Sequence, residues 1–367
     1  MSIIGRTAGA GGVGSDGDGS DEGRRDAGGT DENGPVGHLG AYRARDESAG
    51  ARVTVDLGGP HAALVVGKRG SGKSYTLGVL AEELDRVEGI APVIVDPMGA
   101  FGTLAAEPVG ARVVRPRVRA DALEPRAWCD LLGLDPEGAA GALVWRAAAA
   151  ATTLDGMRAF VAEADAPGAT RRAASNHLDL AAAWDVFGGE LPPLSDGRTT
   201  VLDCSGVDRA PMNAVCRAAA NRCYRARLAG GTDRLPWLLV DEAHALFGGL
   251  AAPALRRLLT RGRQPGVSLV AATQRPAALP AVAVSQADLV VMHRLSSRDD
   301  REAMRAARPA SMRETFDERM PTRPGEALVV DDATERVHTV QVRERATPHG
   351  GESPRLSGQS GLSAGGG

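Results

Sequence analysis

Residues 67–74 read GKRGSGKS, a full match to G-x-x-x-x-G-K-[ST]. The apolar run Ala62-Ala63-Leu64-Val65-Val66 precedes them, and residues from Lys73 to about Arg86 follow with helical spacing. A buried strand running into a glycine loop that opens a helix is the context this motif needs. Glycines let the backbone turn its N–H groups inward at an anion, and the helix adds its positive end. The pattern therefore predicts a nucleoside triphosphate held by Gly67, Lys68, Arg69, Gly70, Ser71, Gly72, Lys73, Ser74 and Tyr75. Lys73 is placed to reach the β- and γ-phosphates and Ser74 to ligate Mg²⁺. A chance glycine-rich turn, the alternative, would not need the strand and helix in register.

Lysine usage singles out the same loop. Among 43 basic residues the only lysines are Lys68 and Lys73. A GC-rich genome or a mildly salt-adapted host would produce the arginine bias. A compact ammonium fits between phosphate oxygens where a planar guanidinium does not. Hydrophobic residues make up 43% of the chain but aromatics only 3%, so the core must be built from Ala, Val and Leu. A formal net charge of -3 shows no whole-chain field for nucleic acid. Cys129, Cys204, Cys216 and Cys223 form no CxxC pair and read as small buried apolar residues. The glycine-rich, acidic start lacks the pattern of a signal peptide. The most apolar run, Ala139 to Leu154, contains Arg146 and is too short to span a bilayer. A cytoplasmic protein without membrane insertion is expected.

Residues 1–36 and 346–367 carry almost no apolar content and are expected to be disordered tails around a domain over 37–345. Within it, strand patterns occur at 51–57, 62–66, 91–95, 199–204, 237–240, 267–273 and 287–292, and the pair 327–330 and 337–342 suggests a hairpin. Helical patterns follow Lys73, Pro211 and Pro253. The Ala-rich stretch 117–191, with Trp128, Leu131, Leu143, Trp145, Leu154, Met157 and Phe160 at helical positions, reads as a helical insertion. Strands alternating with helices predict an α/β fold: a mostly parallel, doubly wound sheet with helices on both faces.

Further candidates stand at the carboxyl ends of apolar strands, where ligands collect in such sheets. Trp237 to Val240 ends in Asp241-Glu242-Ala243-His244. Asp241 suits a contact to Mg²⁺ and Glu242 a general base for the attacking water. Taken alone, the acids could instead open a helix. His244 reads equally as a capping or a catalytic group. Val267 to Ala272 ends in Thr273-Gln274-Arg275-Pro276, where Gln274 could contact the γ-phosphate or the water, or belong to a polar turn. Arg261 and Arg263 lie on the loop before that strand, facing either a neighbouring subunit's nucleotide or solvent. Arg112, Arg115, Arg117 and Arg119 form a basic cluster that could face phosphates or simply be solvated.

Together GKRGSGKSY, VIVDPMGAF, WLLVDEAHALF and GRQPGVSLVAATQRP resemble the HerA/FtsK superfamily of hexameric P-loop motor ATPases, in particular its HerA-like members. The resemblance spans roughly residues 55 to 345, with the insertion matched less well. It implies a RecA/ASCE-like core using ATP and Mg²⁺, with Lys73 and Ser74 as the phosphate-loop pair, Asp241 and Glu242 as the magnesium and base acids, and Gln274 as the sensor glutamine. It implies Arg263 as the arginine given in trans, with Arg261 as its rival, and Asp96 as the acidic position after the second strand. A homo-hexamer acting on DNA, with a nuclease as partner, follows from the same resemblance. The N-terminal barrel typical of HerA proteins and a DNA-reading module are not recognisable. Three functions are therefore open: a DNA translocase or helicase, an ATPase energising a secretion or conjugation machine, and a slow ATP-dependent switch.

Overall fold

The computed structural model describes residues 2–5, 30–31, 34–43, 49–307 and 316–349. Thirteen strands occur among them: β1 (Ser2–Ile4), β2 (Thr30–Asp31), β3 (Gly34–Arg43), β4 (Ala49–Asp56), β5 (Ala62–Val66), β6 (Ile90–Asp96), β7 (Arg112–Val114), β8 (Thr200–Asp203), β9 (Leu235–Val240), β10 (Ser268–Thr273), β11 (Leu289–Met292), β12 (Glu326–Asp331) and β13 (Arg336–Val342). The helices are α1 (Lys73–Asp85), α2 (Pro125–Leu132), α3 (Ala139–Ala150), α4 (Leu154–Glu163), α5 (Gly168–Ala183), α6 (Arg209–Leu228), α7 (Ala243–Phe247), α8 (Ala252–Arg261), α9 (Ala281–Ser285) and α10 (Arg298–Met304).

The strands run in the order β1-β4-β3-β13-β12-β11-β5-β10-β9-β6-β8-β7, with β2 against β3. From β11 to β7 every pairing is parallel. Antiparallel pairings of β11 with β12, β12 with β13, β13 with β3 and β3 with β4 extend the sheet on the other side. The doubly wound parallel core expected from the alternating pattern is therefore present, with an antiparallel wing added.

Burial follows strand periodicity. Ala62, Leu64 and Val66 of β5 point into one apolar core, while Ala63 and Val65 point into the other. Both faces are covered, which is why β5, β6 and β10 read as continuous apolar runs. Helix α1 packs into the core that holds Leu77, Leu80 and Leu84; α6, α8 and the residues of α2 to α5 fill the opposite one. The four helices α2 to α5 lie within the stretch read as a helical insertion. Trp128 anchors it, fully buried, with its indole N–H donating to the Ala120 carbonyl at 2.9 Å. All four cysteines are buried and free, as small apolar residues would be. Burial pushes the thiols of Cys204 and Cys223 up to about 12, so they are inert.

Three elements depart from the sequence reading. Strand β3 crosses the expected boundary at residue 36; its glycines and the register shift between His38 and Gly40 break the alternation that would reveal it. Ser2–Ile4 pairs with β4 although the first 36 residues read as a tail, because Ile4 supplies an apolar side chain that is fully buried; residues 6–29 lie outside the described residues. Strand β7 takes up Arg112 from the basic cluster. Arg112, Arg117 and Arg119 pair with Asp196, Asp185 and Asp121, which is the solvated-face alternative for three of the four cluster members.

At the other end, residues 343–349 leave β13 and run back along α1. Arg343 reaches Glu82 at 2.8 Å and Glu83 at 2.6 Å. The Glu82 carboxylate also accepts from the backbone of Ala346 (3.0 Å) and Thr347 (2.9 Å) and from the Thr347 hydroxyl (2.6 Å). Burial pushes this carboxyl up, but the hydrogen bonds from Thr347, Ala346 and Arg343 outweigh it and hold it below its ordinary value. Residues 346–349, read as the start of a tail, are thus a packed strap, while 350–367 lie outside the described residues.

Candidate nucleotide site

The phosphate loop joins β5 to α1. Gly72, the residue before the helix, sits at φ 114, a conformation open to glycine and costly for other residues. A Cβ there would also meet the His293 ring at 3.3 Å. The loop is gripped from both neighbouring strands. Gly67 N–H donates to the carbonyl of Thr273, the last residue of β10 (3.3 Å), and Lys68 N–H donates to the Arg294 carbonyl after β11 (2.8 Å). Inside the loop, the Ser71 hydroxyl (2.7 Å) and Lys73 Nζ (3.4 Å) both donate to the Lys68 carbonyl. Lys73 is buried, and desolvation lowers its pKa while Asp241 and Glu242 pull it back up. Arg69 and Gly70 are exposed at the loop tip, and Ser74 and Tyr75 are half-buried.

Strand order places β10 between β5 and β9. Residues following these three strands therefore meet at one edge. The Ser74 hydroxyl donates to Asp241 Oδ2 at 2.7 Å. Asp241 is fully enclosed, and its other oxygen accepts the Glu242 N–H at 2.8 Å. This hydroxyl–carboxylate pair is the donor set a magnesium ion uses when phosphate oxygens and water complete its shell. Ser74 and Asp241 could hold one.

Glu242 has φ 47 and ψ 41, left-handed values that turn its side chain back over the strand end. Its carboxylate Oε2 lies 3.4 Å from Gln274 Nε2 and 3.3 Å from His244 Nδ1. Burial first, and then the Asp241 charge, raises its pKa. His244 Nδ1 is also 3.2 Å from the Thr273 hydroxyl, and burial followed by Arg275 and Arg209 lowers the histidine's pKa. A neutral imidazole therefore joins the ends of β9 and β10 and touches the glutamate. The structure thus brings together Lys73, Ser74, Asp241, Glu242 and Gln274, and adds His244.

Asp96 stands beside this group but caps its own loop. It accepts backbone N–H groups from Met98, Ala100 and Phe101 at 3.2, 3.1 and 2.9 Å. Arg263 is elsewhere. Its Nη2 donates to Asp288 Oδ2 at 2.6 Å, and Asp288 also accepts from the Ala62 N–H at the start of β5. That is the amino end of the strands, about 17 Å from the phosphate loop for a five-residue strand. Arg263 does not join its own chain's site. It remains exposed, as does Arg261.

Two site residues escaped the sequence reading. His293, completely buried after β11, hydrogen-bonds the Thr76 hydroxyl of α1 and the Glu326 carbonyl, each at 2.8 Å. Burial lowers its pKa to about 4, so it is neutral and braces the loop from beneath. Thr273 is the second, shared by the Gly67 and His244 contacts. Both obey the rule that picked out Asp241 and Gln274: a polar residue where an apolar strand ends.

The family described as "Helicase HerA, central domain" matches residues 39–159, a segment that includes the phosphate loop and Asp96 and stops before the acid pair. Among solved structures, VirB4 of Thermoanaerobacter pseudethanolicus is similar at 16% identity and a TM-score of 0.65, covering 84% of this chain and 96% of its own. The plasmid coupling protein TrwB, in complex with a non-hydrolysable ATP analogue, is similar at 16% identity and a TM-score of 0.54, covering 78% of this chain and 88% of its own. An unbound form of TrwB gives 0.53 over 77% and 84%. No curated protein matches the sequence. At these identities the neighbours establish the fold. Taken with the loop geometry, the matches give the chain a P-loop NTPase fold in which residues 39–159 are similar to the HerA central domain.

Proposed function

We propose that this protein is an ATP-hydrolysing ring motor that translocates DNA. The observation that carries the chemistry is the meeting of Ser74, Asp241, Glu242 and Gln274 at one sheet edge. Lys73 and the loop N–H groups bind the β- and γ-phosphates. Ser74 and Asp241 would hold Mg²⁺, which would supply neutralisation of the developing charge on the phosphates. Glu242, its pKa raised by burial, accepts the proton of the attacking water. Gln274 orients that water and the γ-phosphate, and His244 fixes the carboxylate that it contacts.

Arg263 supports the ring. Exposed, and at the far end of the sheet from its own phosphate loop, where it pairs with Asp288, it could reach a nucleotide only in a neighbour's site. We read the assembly as a cytoplasmic homo-hexamer, with DNA as the substrate and a nuclease as partner. Among the described residues no helix is long and apolar enough to cross a membrane. A second reading is an ATPase that energises conjugation or secretion, favoured by the likeness in fold to a structure described as a bacterial conjugative coupling protein. ATP turnover with and without duplex or single-stranded DNA at low salt, with mass measured under ATP, tests the proposal. Stimulation by DNA together with a hexameric mass is expected. No stimulation by either form of DNA would sink the DNA motor and leave the second reading.

A further inference from the structure

The geometry points to a base-binding subsite made by His349 and Tyr75, carried on the strap that residues 343–349 lay along α1. This inference deepens the proposed ATPase reading and rests on it. Direction follows from strand order. Strands β9 and β10, which carry Glu242 and Gln274, lie on one side of β5, while β11, β12 and β13 lie on the other. A triphosphate whose γ end faces Glu242 and Gln274 sends its nucleoside the opposite way. There it meets Tyr75, in the first turn of α1, and the chain that leaves β13.

The strap is built, not draped. Gly78 of α1 leaves a slot in which the Arg345 guanidinium lies; a Cβ at that position would meet Arg345 Cζ at 2.6 Å. Arg345 donates to the Thr347 hydroxyl at 2.7 Å and pairs with Glu82 at 3.5 Å. Its backbone N–H donates to the Tyr75 hydroxyl at 2.7 Å, which fixes the phenol ring beside the phosphate loop. The strap then brings His349 edge-on to Tyr75, with ring centroids 5.2 Å apart and planes at 68°. His349 is exposed and Tyr75 half-buried. A positioned aromatic ring with an exposed face, on the nucleoside side of a triphosphate site, suits stacking of a nucleobase. The phosphate loop alone reads only phosphates, so this pair supplies the contact to the base.

The test is calorimetric titration of the full chain with Mg²⁺ and either a non-hydrolysable ATP analogue or inorganic tripolyphosphate. His349→Ala should weaken the ATP analogue by about tenfold, in line with the loss of one base stack, and leave tripolyphosphate binding unchanged. His349→Phe should restore the parent affinity for the analogue. Analogue binding unaltered in His349→Ala, or loss of both ligands in equal measure, would overturn the subsite while the phosphate-loop reading stands. A parent protein that binds neither ligand would overturn that reading and the subsite with it.

Discussion

Glu242 is one of three non-glycine residues with positive φ among the described residues, and the only one of them at the nucleotide site. Such a backbone costs of order 1–3 kcal/mol and persists where its surroundings over-determine it. Here the Asp241 carboxylate holds the Glu242 N–H, and Gln274 and His244 hold the side chain. Glu242→Gly should therefore relieve strain, raising stability slightly in thermal melts, while abolishing turnover. His293, buried beneath the loop, couples stability to pH. Its folded pKa of about 4 lies below the ordinary 6.5, so the unfolded chain takes up the proton first. The stability it contributes is complete above pH 6.5 and is lost as the pH falls toward 4. The shift corresponds to on the order of 3 kcal/mol. Urea unfolding at neutral and acid pH should show that His293→Gln removes about this much of the acid destabilisation while lowering stability at neutral pH, because the Thr76 and Glu326 groups lose their partner. An acid slope that is the same in both proteins would contradict the neutral buried histidine.

Helix α1 links the phosphate loop to the strap. Replacing Gly78 by Ala would ordinarily gain about 1 kcal/mol of helix propensity. Here the new methyl would displace a buried guanidinium and weaken its charge-assisted hydrogen bonds, worth about 1.5–3 kcal/mol each. Gly78→Ala should accordingly be destabilising, and hydrogen exchange at the Ala346 and Thr347 amides should speed up. Unchanged protection would show that the strap does not depend on the slot. How much of this was legible beforehand differs by element. The continuous apolar runs of β5, β6, β9 and β10 mark buried parallel strands, and the polar residues that end them mark Asp241 and Gln274. Strand β3 is hidden because glycines and a register shift interrupt its alternation. The strap is hidden because Arg343, Arg345 and Thr347 look solvated until Glu82 and Glu83, some 260 residues earlier, enclose them. The pairing of Arg263 with Asp288 is likewise a contact between separate strand ends, which spacing does not reveal.

On the scale of the whole molecule, the sheet holds two sets of candidate residues at opposite edges. The carboxyl edge carries the phosphate loop, the acids and Gln274, while the amino edge carries Arg263 on Asp288. In the proposed ring, one edge of each subunit would lie against the other edge of the next, so turnover should rise with protein concentration. Arg263→Ala should abolish turnover, and mixing it with Lys73→Ala should restore part of it, because each variant supplies the group that the other lacks. A mixture as inactive as its components would argue against sharing. Beneath these predictions lies the claim that Glu242 is the base of an ATP-hydrolysing site. Its most direct test is steady-state ATP turnover of Glu242→Gln measured beside ATP binding by the same protein. Binding should be kept while turnover falls by about 10²–10⁴-fold. A variant that binds ATP and hydrolyses it at the parent rate would contradict the account.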